Sequence, residues 1–366
     1  MLKNNKIKGR GSQFNIPNRF EKIHTDHSAE HNNEDPHSID NEGSERKIPT
    51  EFFNDHSRSV LVKNNSPDLG LGYSINPYRG CEHGCIYCYA RPTHEYLGFS
   101  SGLDFETKIM VKRDAPELLQ SEFMKKNWIP QSVFFSGNTD CYQPAERNFQ
   151  ITRRCLEVFL RFKNPVSIIT KNALVLRDID ILKEMSELNL IRVVISITTL
   201  KHDLQRKLEP RTSSPAMRLK TIEILSSNGI STAVNVAPII PGLTDEEIPS
   251  ILKAASESGA VKAGRVMLRL PHSVKELFTD WLNKEFPDRA NKVINRIKEL
   301  HGDSLYNNNF GTRLTGEGLW AETVKKIFDA NCNKYGLNKP TPPLSTDLFN
   351  VPSELRNKDQ YSMFDF

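Results

Sequence analysis

The sequence predicts an α/β fold, a partial (β/α)6 barrel, and three observations carry that expectation. From Leu71 onward, short apolar runs alternate with stretches of helical periodicity, the rhythm of parallel strands joined by crossover helices. Six such runs occur before Pro271, where the strand rhythm stops. Small polar residues follow several of the runs directly, and a sheet of this kind binds its ligands at the carboxyl ends of its strands.

In chain order, residues 1–50 read as a disordered tail. Lys3, Lys6, Lys8 and Arg10 come first, and Glu30, Glu34, Asp35, Asp40, Glu42 and Glu45 follow, so the segment has too little apolar surface to offset its ordering entropy. Residues 51–270 form the core barrel. Its strands are expected at 72–76, 133–136, 166–170, 191–197, 232–237 and 265–270, and its helices near 88–97, 145–161, 176–188, 214–228 and 245–258. The run Thr244-Asp-Glu-Glu suits an acid-biased first helical turn, and Asn228-Gly229 suits a helix stop. Residues 271–336 read as a helical extension, with amphipathic stretches at 274–286, 289–301 and 321–335, and 337–366 as an extended tail.

Bulk properties narrow the class. A chain of 366 residues can bury a sizeable core, and its net charge of +4 permits an anionic partner without arguing for one. Six cysteines, three of them clustered, do not form a disulfide framework, and thiolate chemistry needs a reducing compartment, so the expected location is the cytoplasm. The first ten residues carry charges without an apolar core, and no apolar run approaches the length of a membrane span.

The chemistry concentrates in Asn76-Pro-Tyr-Arg-Gly-Cys-Glu-His-Gly-Cys-Ile-Tyr-Cys-Tyr-Ala, a C-x3-C-x2-C cluster of Cys81, Cys85 and Cys88. Three thiolates this close can share one [4Fe–4S] cube and leave its fourth iron without a protein ligand. Gly80 and Gly84 precede ligand cysteines, where they permit positive-φ turns. The rival is a structural zinc with His83, His94 or Cys141 as fourth ligand, against which no second C-x2-4-C or H-x3-5-H half is visible. Cys155 and Cys332 lie on apolar helical faces and read as core thiols.

The spacing, with Tyr87 before the third cysteine, resembles the radical S-adenosylmethionine (radical SAM) superfamily, which implies the partial (β/α)6 TIM-type barrel of those enzymes. The blocks at 80–96 and 139–146, with Leu208-Glu-Pro-Arg, Ala237-Pro-Ile-Ile-Pro-Gly and Arg269-Leu-Pro-His, resemble the spore photoproduct lyase-like (DNA repair photolyase-type) branch, and within it an uncharacterised bacterial subfamily. The resemblance implies a [4Fe–4S] cluster on the three cysteines and SAM on the open iron. It implies a 5′-deoxyadenosyl radical that abstracts hydrogen, and a reductant such as flavodoxin or ferredoxin. Tyr87 is implied near the adenine, Gly137 with Asn138, Thr139 and Asp140 near the methionine end, and Lys171 and Ser196 as further cofactor contacts. Tyr89 is implied in hydrogen-atom return. The branch's hydrogen-donating cysteine is replaced here by Gly137, so Cys141 is the candidate donor that remains, beside the plainer reading of a small residue in a turn. Glu209 and Arg211 suit either cofactor or substrate binding or a structural ion pair.

The implied substrate is a nucleic acid lesion. Two alternatives stand beside it, a radical SAM reaction on a small metabolite or protein side chain, and a non-catalytic zinc or Fe–S module. The end of the chain, Gln360-Tyr-Ser-Met-Phe-Asp-Phe, resembles a bacterial sliding-clamp-binding peptide with Gln360, Met363 and Phe364 as its anchors, which would favour a DNA partner.

Overall fold

A computed structural model describes residues 7–20, 47–68, 70 and 72–356. The clamp-like peptide with Gln360, Met363 and Phe364 lies outside the described residues. Ten strands are present among them: β1 (Glu51–Asn54), β2 (Leu61–Lys63), β3 (Tyr73–Ile75), β4 (Tyr78–Arg79), β5 (Lys108–Val111), β6 (Val133–Phe135), β7 (Val166–Thr170), β8 (Ile191–Ser196), β9 (Thr232–Ile239) and β10 (Lys262–Met267).

The main sheet has the order β10-β9-β8-β7-β6-β3-β2. Its six strands from β3 to β10 are mutually parallel and stand in chain order, as a (β/α)6 unit requires, while β2 adds an antiparallel edge to β3. Val133, Phe135, Val166, Ile168, Ile191, Val193, Ile195, Val234 and Val236 are buried at period two along these strands. The crossover helix Ile151–Phe162 meets them with Cys155, Leu156, Phe159 and Phe162, one apolar stripe at helical spacing. Cys155 and Cys332 are core thiols, as expected. Among the described residues no helix is long and apolar enough to cross a membrane.

Several elements differ from expectation. The last strand begins three residues earlier than predicted, because the half-exposed start of β10, Lys262–Arg265, carries no strong apolar signal. The helix expected over 145–161 is broken at Gln150, whose φ of 50° ends Glu146–Phe149 and starts Ile151–Phe162. A second, three-stranded sheet, β1-β5-β4, was not foreseen: every residue of β1 is exposed and β4 is only two residues long. Residues 7–20, assigned by sequence to the tail, fold onto the core. Their apolar content is low, but the backbone N–H groups of Gly11 and Ser12 find a buried carboxylate on Glu106.

The tail also has a place as far as residue 356. It bridges Lys262 through Asn338, and its Pro342 and Pro343 carbonyls accept from Arg192 and Asn189. The Asn350 N–H reaches the Phe162 carbonyl, and Phe349 sits among Phe123 and Phe162. These partners stand at the amino ends of the strands. The tail therefore straps the face opposite the cysteines.

Candidate cofactor site

The cysteine loop follows β3 and β4, at the carboxyl end of the parallel sheet. Backbone turns close over each cysteine: Gly84 N–H donates to the Cys81 carbonyl (3.3 Å), Cys88 N–H to Cys85 (3.2 Å) and Arg91 N–H to Cys88 (3.2 Å). Gly84, at φ 66°, is required twice over, since a Cβ there would lie 2.6 Å from Glu106 Oε2. Gln143 fixes the loop to the β6 turn, its side chain accepting from Glu82 N–H (2.9 Å) and donating to the Gly80 carbonyl (3.2 Å). Cys81 and Cys85 are buried, Cys88 is partly so, and all three are free thiols.

Burial pushes all three thiols up, and Cys81 also feels the charges of Asp140, Cys85 and Cys88. Such thiols ionise only when a cation replaces their protons, which is what bound iron does. Among the described residues no group of three His, Cys, Asp or Glu is arranged to hold a metal ion. A cluster makes a different demand from a single ion, because each thiolate binds its own iron and the sulfurs need not converge on one point. The proposed zinc partners are placed elsewhere. His94 packs between Phe99 and Phe105, and its burial lowers it to about 4. His83 lies between Asp140 (3.4 Å) and Asn172 (3.1 Å).

The loop is covered by residues that sequence reasoning missed. Glu106, fully buried, accepts from Gly11 N–H (2.9 Å), Ser12 N–H (2.8 Å) and Arg91 Nη2 (2.5 Å). Arg10 donates to the Glu106 and Ile48 carbonyls, and Ile16 packs with Cys85, Ile86 and Tyr87. Gly11 passes so close to the loop that a Cβ would stand 1.8 Å from the Gly84 carbonyl oxygen. No periodicity marks this segment, so its only sequence signal was the glycine itself.

Beside the cysteines lies a buried charged network. Tyr87 donates to Glu209, which also accepts from Thr198 (2.6 Å), pairs with Lys171 (3.0 Å) and holds Arg218. Lys171 further donates to the Ala237 carbonyl (2.9 Å), and Arg218 to the Ser196 carbonyl (2.9 Å). Burial works to raise the Glu209 carboxyl, but Arg218 and Lys171, with hydrogen bonds from Thr198 and Tyr87, hold it well below the usual carboxylate range. Two predicted cofactor residues, Tyr87 and Lys171, thus meet in one network. Thr198 and Arg218 were not foreseen. Arg211 pairs instead with Glu82 (3.0 Å).

The β6 turn divides by role. Asn138 is exposed, and its N–H donates to Asn76 Oδ1 (2.8 Å). Gly137 gives its carbonyl to the Tyr89 hydroxyl, and a Cβ on it would face Ser74 at 3.3 Å. Thr139 and Asp140 point inward: Thr139 donates to the Tyr78 carbonyl (2.7 Å), and Asp140 accepts from Thr170 Oγ1 (2.7 Å), Tyr142 N–H (2.9 Å) and Lys171 N–H (2.8 Å). Both Asp140 oxygens are therefore committed to shaping the turn. Ser196 is buried at the end of β8. Tyr89 stands at the mouth, 44% exposed, with the Arg269 guanidinium 5.3 Å from its ring centre. Cys141, the candidate hydrogen donor, has no exposed surface, and its N–H donates to Ser136 Oγ (2.8 Å) within the main core.

A parallel α/β sheet with three cysteines on the loop after its first parallel strand defines a class, and the comparisons agree with it. The radical SAM superfamily model matches residues 75–255. An uncharacterised protein of Mycobacterium tuberculosis is 34% identical over 244 residues, which are 66% of this chain and 71% of that one. A radical SAM Nalpha-GlyT isomerase of Pseudomonas phage M6 is 24% identical over 271 residues, 72% of this chain and 54% of its own. Spore photoproduct lyase complexed with dinucleoside spore photoproduct has the same fold, at a TM-score of 0.57 and 15% identity, with 78% of this chain and 79% of that one covered. The chain belongs to the radical SAM superfamily.

Proposed function

We propose that the chain is a radical SAM enzyme in which Cys81, Cys85 and Cys88 hold a [4Fe–4S] cluster and which acts on a nucleic acid lesion. When bound and reduced, the cluster with SAM on its open iron supplies a 5′-deoxyadenosyl radical able to take a hydrogen atom from a substrate. The observation that carries the reading is the juxtaposition of three free thiols, two buried and one partly so, with the Tyr87, Lys171, Glu209 and Arg218 network at the carboxyl end of the sheet. In it, Glu209 fixes the Tyr87 ring and the Lys171 ammonium, so neither has to be ordered when a cofactor arrives. Asn138, exposed on the β6 turn, and Ser196, at the end of β8, are the remaining contacts proposed for the cofactor. Residues 7–20 exclude water from the outer side of the cysteine loop.

For the substrate, the ligand of the spore photoproduct lyase relative supports nucleic acid over a small metabolite or a protein side chain. Tyr89, exposed at the mouth and held by Gly137 and Arg269, is the residue proposed to assist hydrogen-atom return. It is favoured over Cys141, which is sealed in the core. A low-potential donor such as flavodoxin or ferredoxin would supply the electron. The test is anaerobic reconstitution and reduction, followed by measurement of 5′-deoxyadenosine from SAM with and without damaged DNA. Formation that DNA stimulates supports both parts, no formation removes the enzymatic reading, and formation indifferent to DNA removes the substrate.

A further inference from the structure

We infer that one flank of the helix Pro287–Leu300 forms a binding groove for the phosphodiester backbone of nucleic acid, outside the cofactor site. The helix buries Ala290, Val293, Ile297 and Leu300, which leaves Arg289, Lys292 and Arg296 along one flank at i, i+3 and i+7. They line a cavity of about 320 Å³ closed by Gly242 and Trp320, and Arg289 also borders a second cavity of about 640 Å³ over the helix His202–Leu208.

Two carboxylates, Asp245 and Glu246, line the first cavity too, and each has a partner of its own, although Glu246 also feels the charges of Arg289 and Lys292. Glu246 is held by Lys201 (2.6 Å), Glu285 pairs with Lys207 (3.0 Å), and Asp245 accepts from Gly242 N–H (3.0 Å). Among the described residues Arg289, Lys292 and Arg296 have no carboxylate within 4.0 Å. Arg296 lies over the Trp320 ring at 3.9 Å, and the Trp320 indole N–H is buried without an acceptor. Two exposed cations and a stacked guanidinium facing one cavity suit successive phosphate oxygens.

The location fits the reading given above, on which this inference rests. The helix His202–Leu208 also packs Leu208 into the cluster that holds Cys85, Ile86 and Tyr87, and the Leu208 carbonyl accepts from Ile86 N–H (3.1 Å). A strand in the groove therefore runs one helix away from the cysteine loop.

The test is fluorescence anisotropy of labelled single-stranded and duplex oligonucleotides with the full chain, over a salt series. With Arg289→Gln and Lys292→Gln combined, affinity at low salt should fall several-fold and the slope of log K against log salt should drop by about one to two. Circular dichroism and melting of the variant check that it is folded, and Trp320→Phe, which leaves Arg296 a smaller ring to stack on, should give a smaller loss. Unchanged affinity and slope in the double variant would overturn the groove alone. Wild-type protein that cleaves SAM but binds no oligonucleotide would overturn the nucleic acid substrate together with the groove. Displacement of the oligonucleotide by an equal concentration of inorganic phosphate would reduce the groove to a free-phosphate pocket. Loss of flavodoxin binding in the double variant, with oligonucleotide binding intact, would make it a docking face for an acidic protein. Both of these outcomes also overturn the inference.

Discussion

Glu209 has no exposed surface, and four groups hold its charge in place. Glu209→Gln would leave the buried Arg218 guanidinium without a counter-charge, a change that costs about 3–5 kcal/mol in comparable settings. Because the folded carboxyl sits below its unfolded value, its contribution is full above the unfolded range and is lost as pH falls toward the folded value. The stability gap between wild type and Glu209→Gln, read from denaturant unfolding, should thus be largest near neutrality and shrink by about pH 3. A gap that stays constant or widens in acid would show that the charge is not what the site stabilises. The thiols separate in the same single-residue manner. Cys81→Ala, Cys85→Ala or Cys88→Ala should each prevent full iron and sulfide loading, since each thiolate holds its own iron. Cys141→Ala and Cys155→Ala, both sealed in the core, should load normally. Full loading of Cys85→Ala would refute the ligand assignment.

Two terminal segments act on opposite ends of the sheet, and they can be perturbed separately. Gly11→Ala places a methyl group against backbone, 1.8 Å from the Gly84 oxygen, and backbone cannot rotate away as a side chain could. Residues 7–20 must then lift off the cysteine loop, so iron release from the reconstituted protein to a chelator should quicken several-fold while the melting temperature changes little. Equal release rates would mean that the segment does not shield the loop. At the other end, Phe349→Ala removes a half-buried ring from between Phe123 and Phe162. A loss of about 2–3 kcal/mol, below the range for a fully buried phenylalanine, is expected in unfolding experiments, with iron content unchanged. Iron loss in that variant would mean that the two ends of the sheet are coupled.

At the scale of the molecule, the six parallel strands were legible because β6 to β9 bury an apolar residue at every second position, and such runs stand out. The cysteines were legible because their spacing is local. Elements that owe their place to hydrogen bonds rather than burial left no such trace: the exposed β1, the polar start of β10, the strap ending at Arg356, and residues 7–20. Asp140 belongs to the turn that the resemblance implies near the methionine end of the cofactor, and its hydrogen-bond partners Thr170, Tyr142 and Lys171 become neighbours only on folding. Glu106 was overlooked for the same reason, its partners Gly11 and Ser12 being 95 and 94 residues away. That separation makes the pair a diagnostic mark. In chains with this cysteine spacing a glycine at position 11 should come only with an acid at position 106, because the segment docks on that carboxylate, whereas the acid has a second partner in Arg91 and can stand without the glycine. Across genomes the dependence should run one way, and the glycine's presence would sort chains that wear this collar from those that close the loop by other means.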